Sequence, residues 1–158
     1  MPTMTSGNGA FTPSTSSDNW TWDTQTAGVF GKVVAIGWGG RETTSTNYRT
    51  RWTRPTTVAS GTFTALTSAF HQPNYTSGVF GSRVGTFSIV ALVTADPGNN
   101  LWAQDWNGQG GVGMIVMPLA NPWWGVFGIT AGAGQQISCR NVAGTTASAS
   151  SYEVTIEE

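Results

Sequence analysis

The chain has 158 residues and a formal net charge of −1, and only 9% of its residues are charged, against about 25% in an average soluble protein. Eight Trp and 21 Gly stand beside a single Lys, Lys32, which excludes a disordered chain and a helical bundle, since these need abundant charge or abundant Ala, Glu, Lys and Leu. Seven basic residues in all make phosphate neutralisation an unsuitable main task, and no nucleic-acid partner is expected.

Residues 1–17, MPTMTSGNGAFTPSTSS, are small, polar and uncharged. They offer little apolar surface to offset the entropy of ordering, so they read as a flexible or extended N-terminal arm with Phe11 and Thr12 as anchors on a neighbour. Residues 18–158 read as one domain. Asn19–Asp23 alternates, with Trp20 and Trp22 on one face. Lys32–Trp38 is almost continuously apolar, as expected of a strand covered on both faces, and Gly39-Gly40 ends it. Tyr48–Arg54 alternates again: Arg49, Arg51 and Thr53 share one face, and Tyr48, Thr50, Trp52 and Arg54 the other. Gly61–Thr67 is a weaker strand, and 67–75 reads as a loop with room for one helical turn.

Gly85–Thr94 carries the strongest strand pattern, with Phe87, Ile89, Ala91 and Val93 on one face, and Asp96–Asn100 follows as a turn. Shorter strands follow over 101–106, 111–117, 123–130 and 135–140. The last strand, Ser151–Glu157, directs Tyr152, Val154 and Ile156 inward. The tetrapeptide Gly-Val-Phe-Gly recurs at 28–31, 78–81 and 125–128 with unrelated flanks; it reads as three strand starts where Gly allows close approach and Phe enters the core. About eight to ten short strands with Gly, Pro and Asn punctuation give an all-β fold, a single jelly-roll-like β-sandwich carrying a flexible N-terminal arm. A core of this size needs no disulfide, and Cys139 reads as inert packing.

The groups that catalysis needs are sparse. His71 stands in a polar loop, and no Gly-x-Ser-x-Gly elbow accompanies it. Eight acids include no evident facing pair, although Asp105 in Gln104-Asp105-Trp106-Asn107 is the best single candidate. One His and one Cys are too few for zinc, Asp96, Asn99 and Asn100 read as a turn before a calcium site, and Gly108–Gly113 lacks the rest of a phosphate loop. No enzymatic activity, cofactor or metal is expected. No apolar run is long enough for a membrane helix, no membrane partner is expected, and the first thirty residues lack a secretion signal, which points to synthesis in a cytoplasm.

Two binding constellations remain. Trp102, Asp105 and Trp106 combine aromatic faces with a carboxylate, as sugar-binding modules do; the competing assignment is that both Trp plug the sandwich. The basic residues comprise six Arg and one Lys, and Arg suits planar, bidentate contacts, so Arg41, Arg49, Arg51 and Arg54 are candidates for docking carboxylates on a partner. A solvated strand face is the competing assignment for these.

The stretches MPTMTSGNGAFTPSTSS, VAIGWGGRETTSTNYRTRW and QISCRNVAGTTASASSYEVTIEE give the whole chain a style that resembles small virion proteins of tailed bacteriophages, in particular head decoration (cement) proteins. The likeness carries no diagnostic motif and transfers no site residues. It implies a sandwich, often trimeric, that binds the major capsid protein and copies of itself on the capsid surface and stabilises the lattice without catalysis. The rival expectation is a carbohydrate-binding module of a phage tail spike or fibre, using Trp102, Asp105 and Trp106. A hydrolase using His71 or Asp105 is the third.

Overall fold

The computed structural model describes residues 3–11, 19–24, 28–55, 59–71, 80–89, 100–116, 125–130, 133–134, 136–143 and 150–158. Thirteen strands run through these residues: β1 (Thr3–Phe11), β2 (Trp20–Thr24), β3 (Phe30–Gly40), β4 (Asn47–Thr53), β5 (Ser60–Ala65), β6 (Thr67–Phe70), β7 (Ser82–Ile89), β8 (Asn100–Asn107), β9 (Val112–Val116), β10 (Gly125–Thr130), β11 (Ala133–Gly134), β12 (Ile137–Ala143) and β13 (Ser150–Glu157). One sheet has the order β11-β10-β3-β13-β1-β6, with β9 also on β3, and the other the order β5-β7-β2-β12-β4-β8.

The pairing is nested. β1 pairs with β13, β2 with β12, β3 with β9 and β4 with β8, all antiparallel. Eight strands therefore form one long hairpin rolled across two sheets, which is the jelly-roll arrangement. The surplus over eight to ten strands comes from β5, β6 and β7, inserted between β4 and β8, and from β10 and β11, inserted between β9 and β12. β9 lies along residues 35–39 of β3 and β10 along residues 30–32, on the same edge. The two are one interrupted strand, and the chain leaves β3 at Val116 and returns at Gly125.

Residues 3–11 are paired within the sandwich, where a free arm was expected. β1 lies inside its own sheet, with Met4 opposite Ile156 on one side and Phe70 on the other. Met4 and Ser6 are buried. Two neighbouring strands saturate the backbone, so few apolar side chains suffice to hold it. Gly7 is required by crowding: a Cβ there would stand 2.8 Å from the Tyr152 carbonyl oxygen.

Parity explains the core. Trp20 and Trp22 on β2, Tyr48, Thr50 and Trp52 on β4, Ile137 and Cys139 on β12, and Tyr152, Val154 and Ile156 on β13 all face the other sheet and are buried. Each large side chain contributes roughly 1.5–3 kcal/mol by leaving water. Trp38, Trp52 and Trp102 bridge the sheets, with Trp52 and Trp102 ring centroids 4.9 Å apart. The indole N–H of Trp106 donates to Thr50 Oγ1 at 2.9 Å, and Thr50 Oγ1 is 2.7 Å from the Tyr152 hydroxyl. This satisfies the polar ends of two large aromatics inside the core.

Three further expectations change. Residues 67–70 form β6 instead of a helical turn, because Ser68 and Phe70 alternate in register with Ser6 and Met4. β3 is buried at Val33 and Ile36 but only half-buried at Val34 and Ala35, and a register shift opposite Thr155/Ile156 moves its inward parity by one residue. On β7, Val84 faces the core, so Phe87, three residues on, faces the other way; it packs with Ala59 and Phe63 in a separate cluster, and Ile89 is exposed. Ala91, Val93 and the 96–99 turn lie outside the described residues. Of the three Gly-Val-Phe-Gly copies, each leads into a strand; Phe80 enters the core, whereas Phe30 is exposed.

Candidate functional site

The outward face of the β5-to-β8 sheet carries the arginines. Register places Arg49 and Arg51 of β4 outward, with Arg51 directly opposite Arg140 of β12 and Arg49 opposite Asp105 of β8. Arg49 Nε lies 3.7 Å from Asp105 Oδ1, and both side chains are largely exposed. Arg51 is half-buried, and its Nε is fully buried with no hydrogen-bond partner among the described residues. Arg140 is buried. Thr53, on the same face, is buried as well, so the row is covered at one end and open at the other.

The chain after β4 meets this face at Gln136. Gln136 Oε1 accepts the Ala59 N–H at 2.7 Å, and Gln136 Nε2 donates to the Ala59 carbonyl at 3.0 Å. Arg83 forms a two-point ion pair with buried Asp23, its Nε 2.8 Å from Asp23 Oδ1, and its guanidinium lies 4.1 Å from the Phe63 ring centre. Arg83 is thus neutralised and stacked, and Arg51, on the same outward face, is neither among the described residues.

Arg41 is exposed in the β3–β4 loop. Arg54 follows the end of β4, and burial lowers its pKa from the ordinary guanidinium value. Phe11 ends β1 opposite Ser150, in place on its own sheet. Thr12 lies outside the described residues. The structure therefore brings Arg49 and Arg51 together and adds Arg140, which the sequence reading did not single out. Only strand register joins Arg140 to Arg51, and register is invisible within either segment alone.

The sugar-platform residues do not converge. Trp102 and Trp106 face inward on β8, and Asp105, between them, faces outward. Trp106 is buried with its ring 4.9 Å from Tyr48 and edge-on to Tyr152. A pyranose cannot reach a face assembled from all three. The remaining candidates are likewise placed in structural roles. His71 Nε2 is 2.7 Å from Thr5 Oγ1 at the end of β6. Cys139 is wholly buried. Glu42 accepts a hydrogen bond from the Tyr48 hydroxyl beneath the β8–β9 turn. Among the described residues no three His, Cys, Asp or Glu side chains gather as metal ligands would.

The outward face of the other sheet carries few charges, Glu153 and the Lys32–Glu157 ion pair. Val112, Met114 and Val116 project from β9 with exposures of 82%, 67% and 59%. Beside them stand Gly39, Gly37 and Ala35 of β3, and then Ser151, Glu153 and Thr155 of β13. A shallow groove runs between Met114, Gly37, Glu153 and Gly7. Trp38 lies over Gly113 on the inward side, and a Cβ there would stand 2.0 Å from its ring. With Gly113 and Ile115 on the inward side, Val112, Met114 and Val116 point to solvent. The alternation of this segment was legible in the sequence, but which half met water was not.

No protein-family model, curated protein or solved structure matches this chain.

Proposed function

We propose that this chain is a structural protein of a virus particle, specifically a capsid decoration (cement) protein. Its partners are the major capsid protein and further copies of itself, and its role is to hold the outer lattice together. The observation that carries the reading is the exposed Val112, Met114 and Val116 row on a strand with no charge along its length. Exposed strands are commonly blunted by Lys, Pro or inward-pointing charge, because an open apolar edge invites association. This one is left bare, and the chain around it lacks the charge that keeps free proteins apart.

Size argues for a lattice in place of a single tight partner. The outward face spans five strands, β9, β3, β13, β1 and β6, at about 4.8 Å each, by about five residues at 3.4 Å. That is roughly 400 Å² of plane, about half of what each side of a standard interface buries. Single contacts of that size bind weakly, and a repeating lattice raises them by multivalency.

The test is co-sedimentation with shells of the major capsid protein encoded in the same genome. The protein is expected to pellet with expanded shells and to raise their resistance to heat, and Met114→Lys is expected to weaken pelleting about tenfold or more while the monomer stays folded. Wild-type protein left in the supernatant with shells of every expansion state would overturn the reading.

A further inference from the structure

We infer that β9 is a pairing edge whose occupant is the β9 strand of a second copy of this chain, laid antiparallel about a two-fold axis through Met114. This names the copy that the docking reading above leaves general, and it rests on that reading for its purpose. Among the described residues β9 pairs with β3 alone, so its outer backbone edge has no neighbour there. Ile115, which faces the interior, is only half-buried, as a position at the rim of a sandwich is. The other edges are blunted. β5 is broken by a register shift between Ser60 and Phe63, with Gly61 in the left-handed region, β8 exposes Asp105, β6 has four residues and β11 has two. A bulge, a charge and brevity are the ordinary means of keeping a strand from pairing with another chain. β9 has none of them: its five residues, Val-Gly-Met-Ile-Val, hold no charge and no proline, and they pair with β3 without a register shift.

Register follows from parity. Directly opposed residues of an antiparallel pair share a face, so the two outward rows stay on one side of the joined sheet only when opposed residue numbers sum to an even value. The even sum that also pairs all five residues sets Met114 opposite Met114 and Val112 opposite Val116. A two-fold axis brings any charged residue near its centre against its own copy, and like charges directly opposite destabilise a sheet. A strand without charge escapes that penalty, gains apolar cross-strand pairs and gives its outer N–H and C=O groups partners. Size also favours the pair. One copy offers roughly 400 Å² of outward face, and two joined along β9 offer about 800 Å² as one continuous surface, which is what each side of a standard interface buries. The pair therefore supplies a docking face that a single copy is too small to provide.

The experiment uses the full chain without shells, in sedimentation equilibrium over a concentration series reaching about 1 mM. Tryptophan indole NMR signals report whether each variant is folded. Wild type is expected to dimerise as concentration rises. Met114→Lys and Met114→Glu are each expected to weaken dimerisation about tenfold or more, since each sets two like charges opposite one another. An equimolar mixture of the two is expected to regain at least the wild-type affinity, because position 114 faces itself across this axis. Val112→Lys mixed with Val112→Glu is expected not to regain it, because position 112 faces 116. Wild type that stays monomeric throughout, or a Met114 mixture as weak as its components, would overturn the pair. A Val112 mixture restored as fully as the Met114 mixture would overturn the register. Dimerisation without shell binding removes the capsid reading and leaves the pair; shell binding by a protein monomeric at every concentration removes the pair alone.

Discussion

At Arg51 the fold keeps a charged donor where an apolar side chain would cost less. Arg51→Met removes a buried Nε that has no acceptor among the described residues, so it is expected to stabilise the isolated protein by about 1 kcal/mol, read as a higher urea midpoint. A lower midpoint would show that Arg51 is already neutralised in the free chain. Thr50 behaves in the opposite way. Its hydroxyl serves Trp106 and Tyr152 at once, and Thr50→Val is expected to cost about 1–3 kcal/mol by removing both bonds. The two core tyrosines also set a pH limit. Burial raises the pKa of both Tyr48 and Tyr152, aided for Tyr48 by its bond to Glu42 and the negative charge there. An unfolded phenol ionises near pH 10, so the unfolded chain releases these protons first. The resulting stability is complete below about pH 10 and is lost as pH rises beyond it. Denaturation midpoints across the alkaline range should fall in the wild type and fall less in Tyr48→Phe and Tyr152→Phe.

At the scale of strands, alternation was readable wherever one face was large and the other small. Trp20 with Trp22, Tyr48 with Trp52, and Tyr152 with Ile156 all point as the pattern required. Where the side chains are small the pattern fails, because backbone pairing alone then decides. β1 looked like a tail for this reason, and β6 looked like a loop. Deleting residues 1–11 is therefore expected to abolish cooperative unfolding, since it uncovers β13 and leaves β6 without its neighbour. A truncated chain with an unchanged thermal transition would restore the arm. β9 depends on a single small residue. Gly113→Ala drives a methyl into the Trp38 ring and is expected to cost about 1–3 kcal/mol.

On the scale of the whole molecule, nesting ties the ends of the chain together, since Thr3 faces Glu157. Contacts this distant in sequence make folding slow, and the jelly-roll-like sandwich was foreseeable while the five inserted strands and the residue-by-residue pairing were not. Which strand lies beside which is a property of pairs, and neither β12 nor β4 contains the information that Arg140 meets Arg51. Function follows the same division. Sparse titratable groups already directed attention to surfaces, and the fold assigned Trp106 to the core, the arginines to one sheet and the bare apolar row to the other. In the proposed function the β9 face is the one that docks. Electron cryomicroscopy of capsid shells mixed with the protein tests it most directly. The predicted result is density on the outer lattice with Val112, Met114 and Val116 against the shell or a neighbouring copy; shells without added density, or a bound protein whose β9 face is turned to solvent, would contradict it.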